Sequence, residues 1–296
     1  MTRTVDPASA PGAAPPKIYA FILECGGSTK TTSATSMATE AALRGYQGTI
    51  FDFDANRSTT TILGYDEEAM KGRKTVLDLI HGTATLDEVA LPARYRIGDG
   101  YDDDAFAYIP GLRVVPSCKE MSTADTAIAE DADRQDWFAE ILLSYDGDED
   151  DVFWLDFPAS YGKMVYSVIR MLDEDDSVIP SVRADPKDVK LLVPLFEELD
   201  RVREKTASGG RCPTPNGQPP NPHRHSDRQL HRSGGPEGNG ARRIPVRRHP
   251  HALHPVLRRR QEAVRRLLPL PILLPNSVPA VDYRKLMTSI GFPDRS

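Results

Sequence analysis

Cysteine is scarce. Cys25, Cys118 and Cys212 are the three in 296 residues, too few and too scattered for a disulfide framework, so the chain reads as a cytosolic one with free thiols. Long apolar runs are also missing: the longest, Leu267–Leu274, is broken by Pro269 and Pro271 and is too short to cross a bilayer. Residues 1–16, MTRTVDPASAPGAAPP, contain no apolar stretch of the secretory type and read as a disordered lead. With 39% hydrophobic and 27% charged residues and a net charge of −6, the composition is that of a globular protein and excludes collagen-like and coiled-coil classes.

The sharpest shortage is local. Residues 206–275 hold no Lys, Phe, Tyr or Trp, yet carry 13 Arg, 12 of the 25 Pro and six of the seven His. Their net charge is +10, against −17 for residues 1–205. Three readings compete for this segment. It is a basic disordered insert that attracts nucleic acid through counterion release; or a metal-binding tract built on His223, His225, His231, His249, His251 and His254; or a stretch translated out of frame. The third accounts for the most, because GC-rich DNA read in a shifted frame yields Arg, Pro, Gly, Ala and His and depletes Lys and aromatics.

Before that break the pattern is regular. Buried-type apolar runs at Ile18–Leu23, Gly48–Phe53, Leu112–Val115, Val152–Phe157 and Ser177–Val182 predict strands. A Gly/Ser/Thr turn at Gly26–Thr32 leads into a helix expected through Leu43, and further helices are expected at Thr75–Gly82, at Thr85–Val89, over most of Thr123–Ser144, at Tyr161–Leu172 and at Pro186–Lys205. Such alternation means βαβ units: an α/β fold with a doubly wound, mostly parallel sheet and helices on both faces. Ligands bind such sheets at the carboxyl ends of the strands, so the polar turns after Leu23, Phe53 and Phe157 are where chemistry is to be sought. The acidic runs Asp102–Asp104 and Asp146–Asp151 lack metal-loop spacing and read as solvated loops.

After the first strand comes Glu24-Cys25-Gly26-Gly27-Ser28-Thr29-Lys30-Thr31-Thr32, then a helix. A phosphate loop needs inward backbone N–H groups, a helix N-terminus, a Lys for the β/γ-phosphates and a hydroxyl for Mg²⁺. Gly26, Gly27, Lys30 and Thr31 supply these in order, although Glu24 and Thr29 stand at the two glycines of the generic pattern. Alone, the stretch could equally be an ordinary glycine-rich turn. The next strand ends in Asp52-Phe53-Asp54-Ala55-Asn56, and a later one in Asp156-Phe157-Pro158-Ala159-Ser160. Carboxylates at strand tips facing a phosphate loop are how P-loop NTPases hold Mg²⁺.

Together these stretches resemble the ParA/MinD family of deviant-Walker P-loop ATPases, specifically the ParA branch of partition ATPases. In that family the loop reads K-G-G-x-G-K-T-T and the two strand ends read D-x-D-P-Q and D-x-P-P-S. TVLDLIHGTATLDEV (residues 75–89), IPGLRVVPSCKEMSTAD (109–125) and PNSVPAVDYRKLM (275–287) are also ParA-like. The resemblance divides the chain into a core over 17–205, an aberrant segment over 206–274 that leaves the fold incomplete after residue 205, and a family-like end over 275–296.

The resemblance implies ATP and Mg²⁺ as cofactors. Gly26, Gly27, Ser28, Thr29, Lys30, Thr31 and Thr32 would form the nucleotide loop, with Lys30 on the phosphates. Thr31, Asp52 and Asp156 would hold the metal, and Asp54 would position the attacking water. It further implies an ATP-dependent homodimer, nonspecific DNA binding, a ParB-like centromere-binding partner and a cytoplasmic, nucleoid-associated location without a membrane. The tail Asp282–Ser296 lacks the apolar stripe and basic face of the membrane-targeting MinD-type helix, and, as residues 1–16 are too few for a helix-turn-helix, operator binding of the larger ParA type is not expected.

Two departures bear on activity. The family's signature lysine falls on Cys25, whose thiol supplies no cation, and Thr29 replaces the glycine before Lys30, where a β-branched residue meets the loop dihedrals only with strain. Slow or absent hydrolysis is therefore expected. Cys25 reads as an inert substitution, with a redox switch as the minor alternative. The competing function is a non-hydrolysing, nucleotide-dependent interaction or scaffold protein derived from the same fold.

Overall fold

The computed structural model describes residues 16–24, 29–97, 105–147, 151–173, 175–181, 189–208, 269–273 and 275–295. In chain order the elements are β1 (Lys17–Phe21), α1 (Lys30–Leu43), β2 (Gly48–Asp52), α2 (Ser58–Ile62), α3 (Val76–Ile80), α4 (Leu86–Val89), β3 (Leu91–Arg96), β4 (Phe106–Val115), α5 (Ala124–Glu130), α6 (Trp137–Ser144), β5 (Val152–Asp156), α7 (Lys163–Ile169), β6 (Ser177–Ile179), α8 (Leu192–Ser208), α9 (Leu270–Leu273) and α10 (Val278–Ser289). Short 3-10 turns occupy Lys119–Thr123 and Ala132–Asp136.

The described strands form one six-stranded sheet in the order β3-β4-β2-β5-β1-β6. Every pairing is parallel except β3 with β4. Side chains alternate between faces along a strand, and this divides the core. On one face Ile18, Ala20, Phe51, Phe153 and Leu155 pack beneath Trp137, Phe138 and Val165 of α6 and α7. On the other, Tyr19, Phe21, Ile50 and Trp154 meet Ala34, Met37, Ala38 and Ala41 of α1. That i, i+3, i+4, i+7 stripe is built mostly of alanines, which let the helix lie close to the sheet.

The expected mostly parallel α/β fold is present, with local differences. Thr123–Ser144, expected to be mostly helix, is so in α5 and α6, with a break between them because Asp131 is extended and its carboxylate accepts from the Asp133 N–H at 2.9 Å. This local turn competes with helix continuation. Strand β4 starts at Phe106 rather than Leu112, and β3, not expected at all, pairs with it antiparallel as an edge strand that tolerates Pro92. The single-turn α2 was also unforeseen.

The C-terminal segment is part of the same core. Phe292 packs against Tyr19, Tyr46 and Trp154, with centroid separations of 5.5, 4.9 and 5.6 Å. Buried Arg44, at the end of α1, pairs with buried Glu40 at 3.1 Å. Its guanidinium also donates to Thr288 Oγ1 at 2.9 Å, to the Arg284 carbonyl at 2.7 Å and to the Phe292 carbonyl. The 1–15 lead, the six histidines of the basic tract, Cys212, Asp102–Asp104 and residues 148–150 of the Asp146–Asp151 run lie outside the described residues.

Removing one partner of a buried ion pair typically costs about 3–5 kcal/mol. Arg44→Met is therefore expected to lower the unfolding free energy by about that amount in urea titrations; a loss under about 1 kcal/mol would contradict the docking described above.

Candidate functional site

The site starts from strand register. Asp52 of β2 and Asp156 of β5 are register partners, and Phe21 of β1 stands level with Asp156 on its other side. Neighbouring strands lie about 4.8 Å apart and partnered residues face the same way, so both carboxylates project on the α1 face, at the carboxyl ends of the strands. Both are buried, with relative exposures of 0% and 1%.

Hydroxyls and backbone N–H groups surround them. Thr31 Oγ1, in the first turn of α1, donates to Asp156 Oδ2 at 2.8 Å, and Thr59 Oγ1 of α2 donates to the same oxygen at 2.7 Å. The N–H and Oγ1 of Thr60 donate to Asp52 Oδ2 at 2.8 and 2.7 Å, while the Asp54 N–H reaches Asp52 Oδ1 at 3.2 Å. Ser117, just past β4, closes a ring: its N–H donates to Thr60 Oγ1 and its hydroxyl to the Asp54 carbonyl, each at 2.9 Å. Asp54 is less buried than Asp52 and accepts from the Asn56 N–H at 2.9 Å. Lys30 is buried, and its ammonium donates to the Leu23 carbonyl at 2.9 Å across the base of the loop.

The predicted residues Lys30, Thr31, Asp52, Asp54 and Asp156 thus gather at one end of the sheet, with Thr32 in the same first turn of α1. Cys25, Gly26, Gly27 and Ser28 lie outside the described residues. Thr59, Thr60 and Ser117 were missed. Their only sequence signal is the Ser58–Thr61 hydroxyl run after Asp54 and a Pro-Ser after the β4 run, and neither indicates what it touches until the fold brings three strand ends together.

Thr29 adopts φ 70° and ψ 5°, in the left-handed region, and makes no side-chain cap to α1. The strain expected at this position is therefore present, at a cost of about 1–2 kcal/mol for a residue with a β-carbon. Among the described residues the other non-glycine with positive φ is Arg57, at φ 58°. Both flank the carboxylate pair, and such strain concentrates where a local geometry is functionally constrained.

Burial raises the pKa of both carboxyls well above the ordinary aspartate range; the Asp156 charge adds to the shift at Asp52 and the Asp54 charge to that at Asp156, while the surrounding hydroxyls, and Lys30 at Asp156, only partly offset it. Asp156 Oδ1 is buried and has no hydrogen-bond partner. A buried carboxylate oxygen left open beside a threonine hydroxyl is a donor set suited to a hard divalent cation such as Mg²⁺, which takes one or two carboxylates and completes its shell with water and phosphate oxygens. No group of three or more His, Cys, Asp or Glu side chains able to hold a metal occurs among the described residues. A metal here would therefore depend on those other oxygens.

A parallel sheet with a phosphate-loop lysine and carboxylates at its strand tips defines the P-loop NTPase class. The model of an AAA domain family, AAA_31, matches residues 16–208, and the chain belongs to that family of ParA/MinD-like P-loop ATPases. It is 29% identical over 179 residues to the cell division protein PomZ of Myxococcus xanthus; the match covers 60% of this chain and 50% of PomZ, so the chain spans about half the length of that curated relative.

Solved structures show the same fold. Cobyrinic acid a,c-diamide synthase from Mycobacterium smegmatis, with a bound ATP analogue and magnesium, superposes with a TM-score of 0.52 at 19% identity, covering 64% of this chain and 70% of the other. An ATP complex of a McdA variant from Cyanothece gives 0.52 at 18%, covering 67% and 68%. A plasmid partition protein from Borrelia burgdorferi gives 0.50 at 18%, covering 64% and 75%. No helix among the described residues is long and apolar enough to cross a membrane.

Because the native carboxyls hold protons that the unfolded chain releases near pH 4, the native state binds more protons between that pH and neutrality. The pair's contribution to stability therefore falls as pH rises through this range. Without Mg²⁺ and nucleotide, the melting temperature is expected to drop from pH 5 to pH 8. Glu40 and Asp176, raised by burial as well, share the trend, so the diagnostic is Asp156→Asn, which should flatten the slope; parallel wild-type and variant profiles would contradict the assignment.

Proposed function

We propose that this chain is a ParA-like ATPase of plasmid or chromosome partition, which binds ATP with Mg²⁺, dimerises in the nucleotide-bound state and binds DNA nonspecifically. A ParB-like protein would be its partner and the cytoplasm, on the nucleoid, its location. The observation that carries the reading is the buried Asp52–Asp156 pair, with Thr31 Oγ1 on Asp156 and an open Oδ1 beside it.

In this reading Lys30 and the N–H groups of residues 26–32 hold the phosphates, with Gly26 and Gly27 letting the backbone approach closely. Thr31, Asp156 and Asp52 would hold the metal, the two carboxylates through water. Asp54, fixed through its N–H by Asp52 and through its carbonyl by Ser117, orients the attacking water. Bound Mg²⁺ would neutralise charge on the transferring phosphoryl group. The family-like end over 275–296 belongs to the working domain, and the docking of Phe292 and α10 on α1 supports this; the 206–274 segment is the aberrant Arg/Pro/His-rich stretch, read as out of frame.

A second reading, a non-hydrolysing nucleotide-dependent scaffold, is favoured by Cys25 and by the left-handed Thr29. A cation supplied to a transferring phosphoryl group is worth about 10³–10⁵ in rate. Wild-type turnover, with or without DNA, is accordingly expected to be slow, and Cys25→Lys to raise it by at least about tenfold. Equal rates would show that the cysteine is not what limits hydrolysis, and a fast wild type would exclude the scaffold.

A further inference from the structure

Arg57 carries an unexplained cost. It sits on the loop between β2 and α2, where its N–H donates to the Asp54 carbonyl at 2.9 Å, and its backbone is left-handed at φ 58°. Glycine would adopt that conformation freely. Its Nε and Nη2 atoms are both buried, and neither has a hydrogen-bond partner. Those two nitrogens form one edge of the guanidinium, the edge that takes two oxygens of a carboxylate or phosphate side by side. A buried, unpaired charged donor is among the costlier defects a fold can hold.

The nearby surface acid does not relieve it. Arg57 helps hold the Glu67 carboxyl low, but that carboxylate is exposed and is bonded by Lys119 at 2.7 Å. Beside the loop, the carboxylate pair leaves a buried acceptor open at Asp156 Oδ1. One end of the sheet thus holds an open anion-seeking fork and an open cation-seeking oxygen, a combination that matches a metal-bound oxyanion.

We propose that the Nε/Nη2 edge of Arg57 is an oxyanion site that engages the terminal phosphate of a bound nucleoside triphosphate, as a ground-state binding contact distinct from the cation missing at position 25. This rests on the nucleotide-binding reading above. It makes Arg57 a residue that distinguishes triphosphate from diphosphate, because only the triphosphate carries the group it would hold.

The test is calorimetric titration of ATP and ADP, each with Mg²⁺, into the full chain and into Arg57→Gly, Arg57→Lys and Lys30→Ala. Arg57→Gly relieves the left-handed strain, so it should melt no lower than wild type. Loss of two charge-assisted hydrogen bonds predicts ATP binding weakened by about tenfold or more, with ADP affinity within about twofold of wild type. Arg57→Lys, which keeps the charge but not the fork, should fall between. An unchanged ATP-to-ADP ratio in Arg57→Gly would overturn the proposal while leaving the nucleotide reading intact, provided that Lys30→Ala loses both ligands. Unchanged ATP affinity with loss of dimerisation at saturating ATP would overturn it in favour of an acidic group on a second copy. A wild type that binds neither nucleotide removes the reading and the proposal together.

Discussion

Two aspartates buried level with each other on adjacent parallel strands set the terms for the rest of this molecule. Asp52 and Asp156 lie side by side because β5 enters the sheet between β1 and β2 and pairs with both in register. Buried like charges repel and resist ionisation, so the pair persists only because its surroundings hold it. Thr31, Thr59, Thr60 and the Asp54 N–H answer three of the four oxygens, and the fourth stays open. The strained residues Thr29 and Arg57, the loop carrying Asp54 and the N-terminus of α1 all converge on this spot. A fold selected only for stability would replace such a pair with apolar residues of similar volume at little cost.

The other end of α1 is anchored just as specifically. Arg44 and Glu40 form a buried pair that reaches three groups of the C-terminal segment, and Ser33, two residues beyond Thr31, bonds Tyr283 at 3.0 Å. The helix that begins at the phosphate loop is therefore clamped along its length by residues about 250 positions away in sequence. The residues after 275 thereby complete the α1 face of the core.

Much of this was legible in the sequence because parallel strands buried on both faces read as continuous apolar runs, and their polar ends then stand out. The strand-tip positions of Asp52, Asp54 and Asp156 were legible in that way, and the place of Lys30 and Thr31 from the glycine-rich turn after the first strand. Thr59, Thr60 and Ser117 were not, since a hydroxyl that caps a buried carboxylate looks like any other turn residue. β3 was missed because LPARYR, an edge strand with Pro92 and two arginines, lacks the buried-strand pattern. Thr123–Ser144 reads as mostly helix, but the place of its break was not visible, since the side-chain turn at Asp131 that outcompetes helical hydrogen bonding looks like any polar helix position. Arg57 was invisible as a site residue, because its significance lies in a backbone angle and in two unpaired nitrogens.

In the proposed function the buried carboxylates are held ready for a metal-bound nucleotide. Coordination requires them ionised, so binding must expel the protons that burial retains. Calorimetric titration of preformed Mg²⁺·ADP near pH 6.5, in two buffers of different ionisation enthalpy, measures that release directly. Net proton release in the wild type that is lost in Asp156→Asn is the predicted result, and binding without proton release, or release unchanged in Asp156→Asn, would contradict the account.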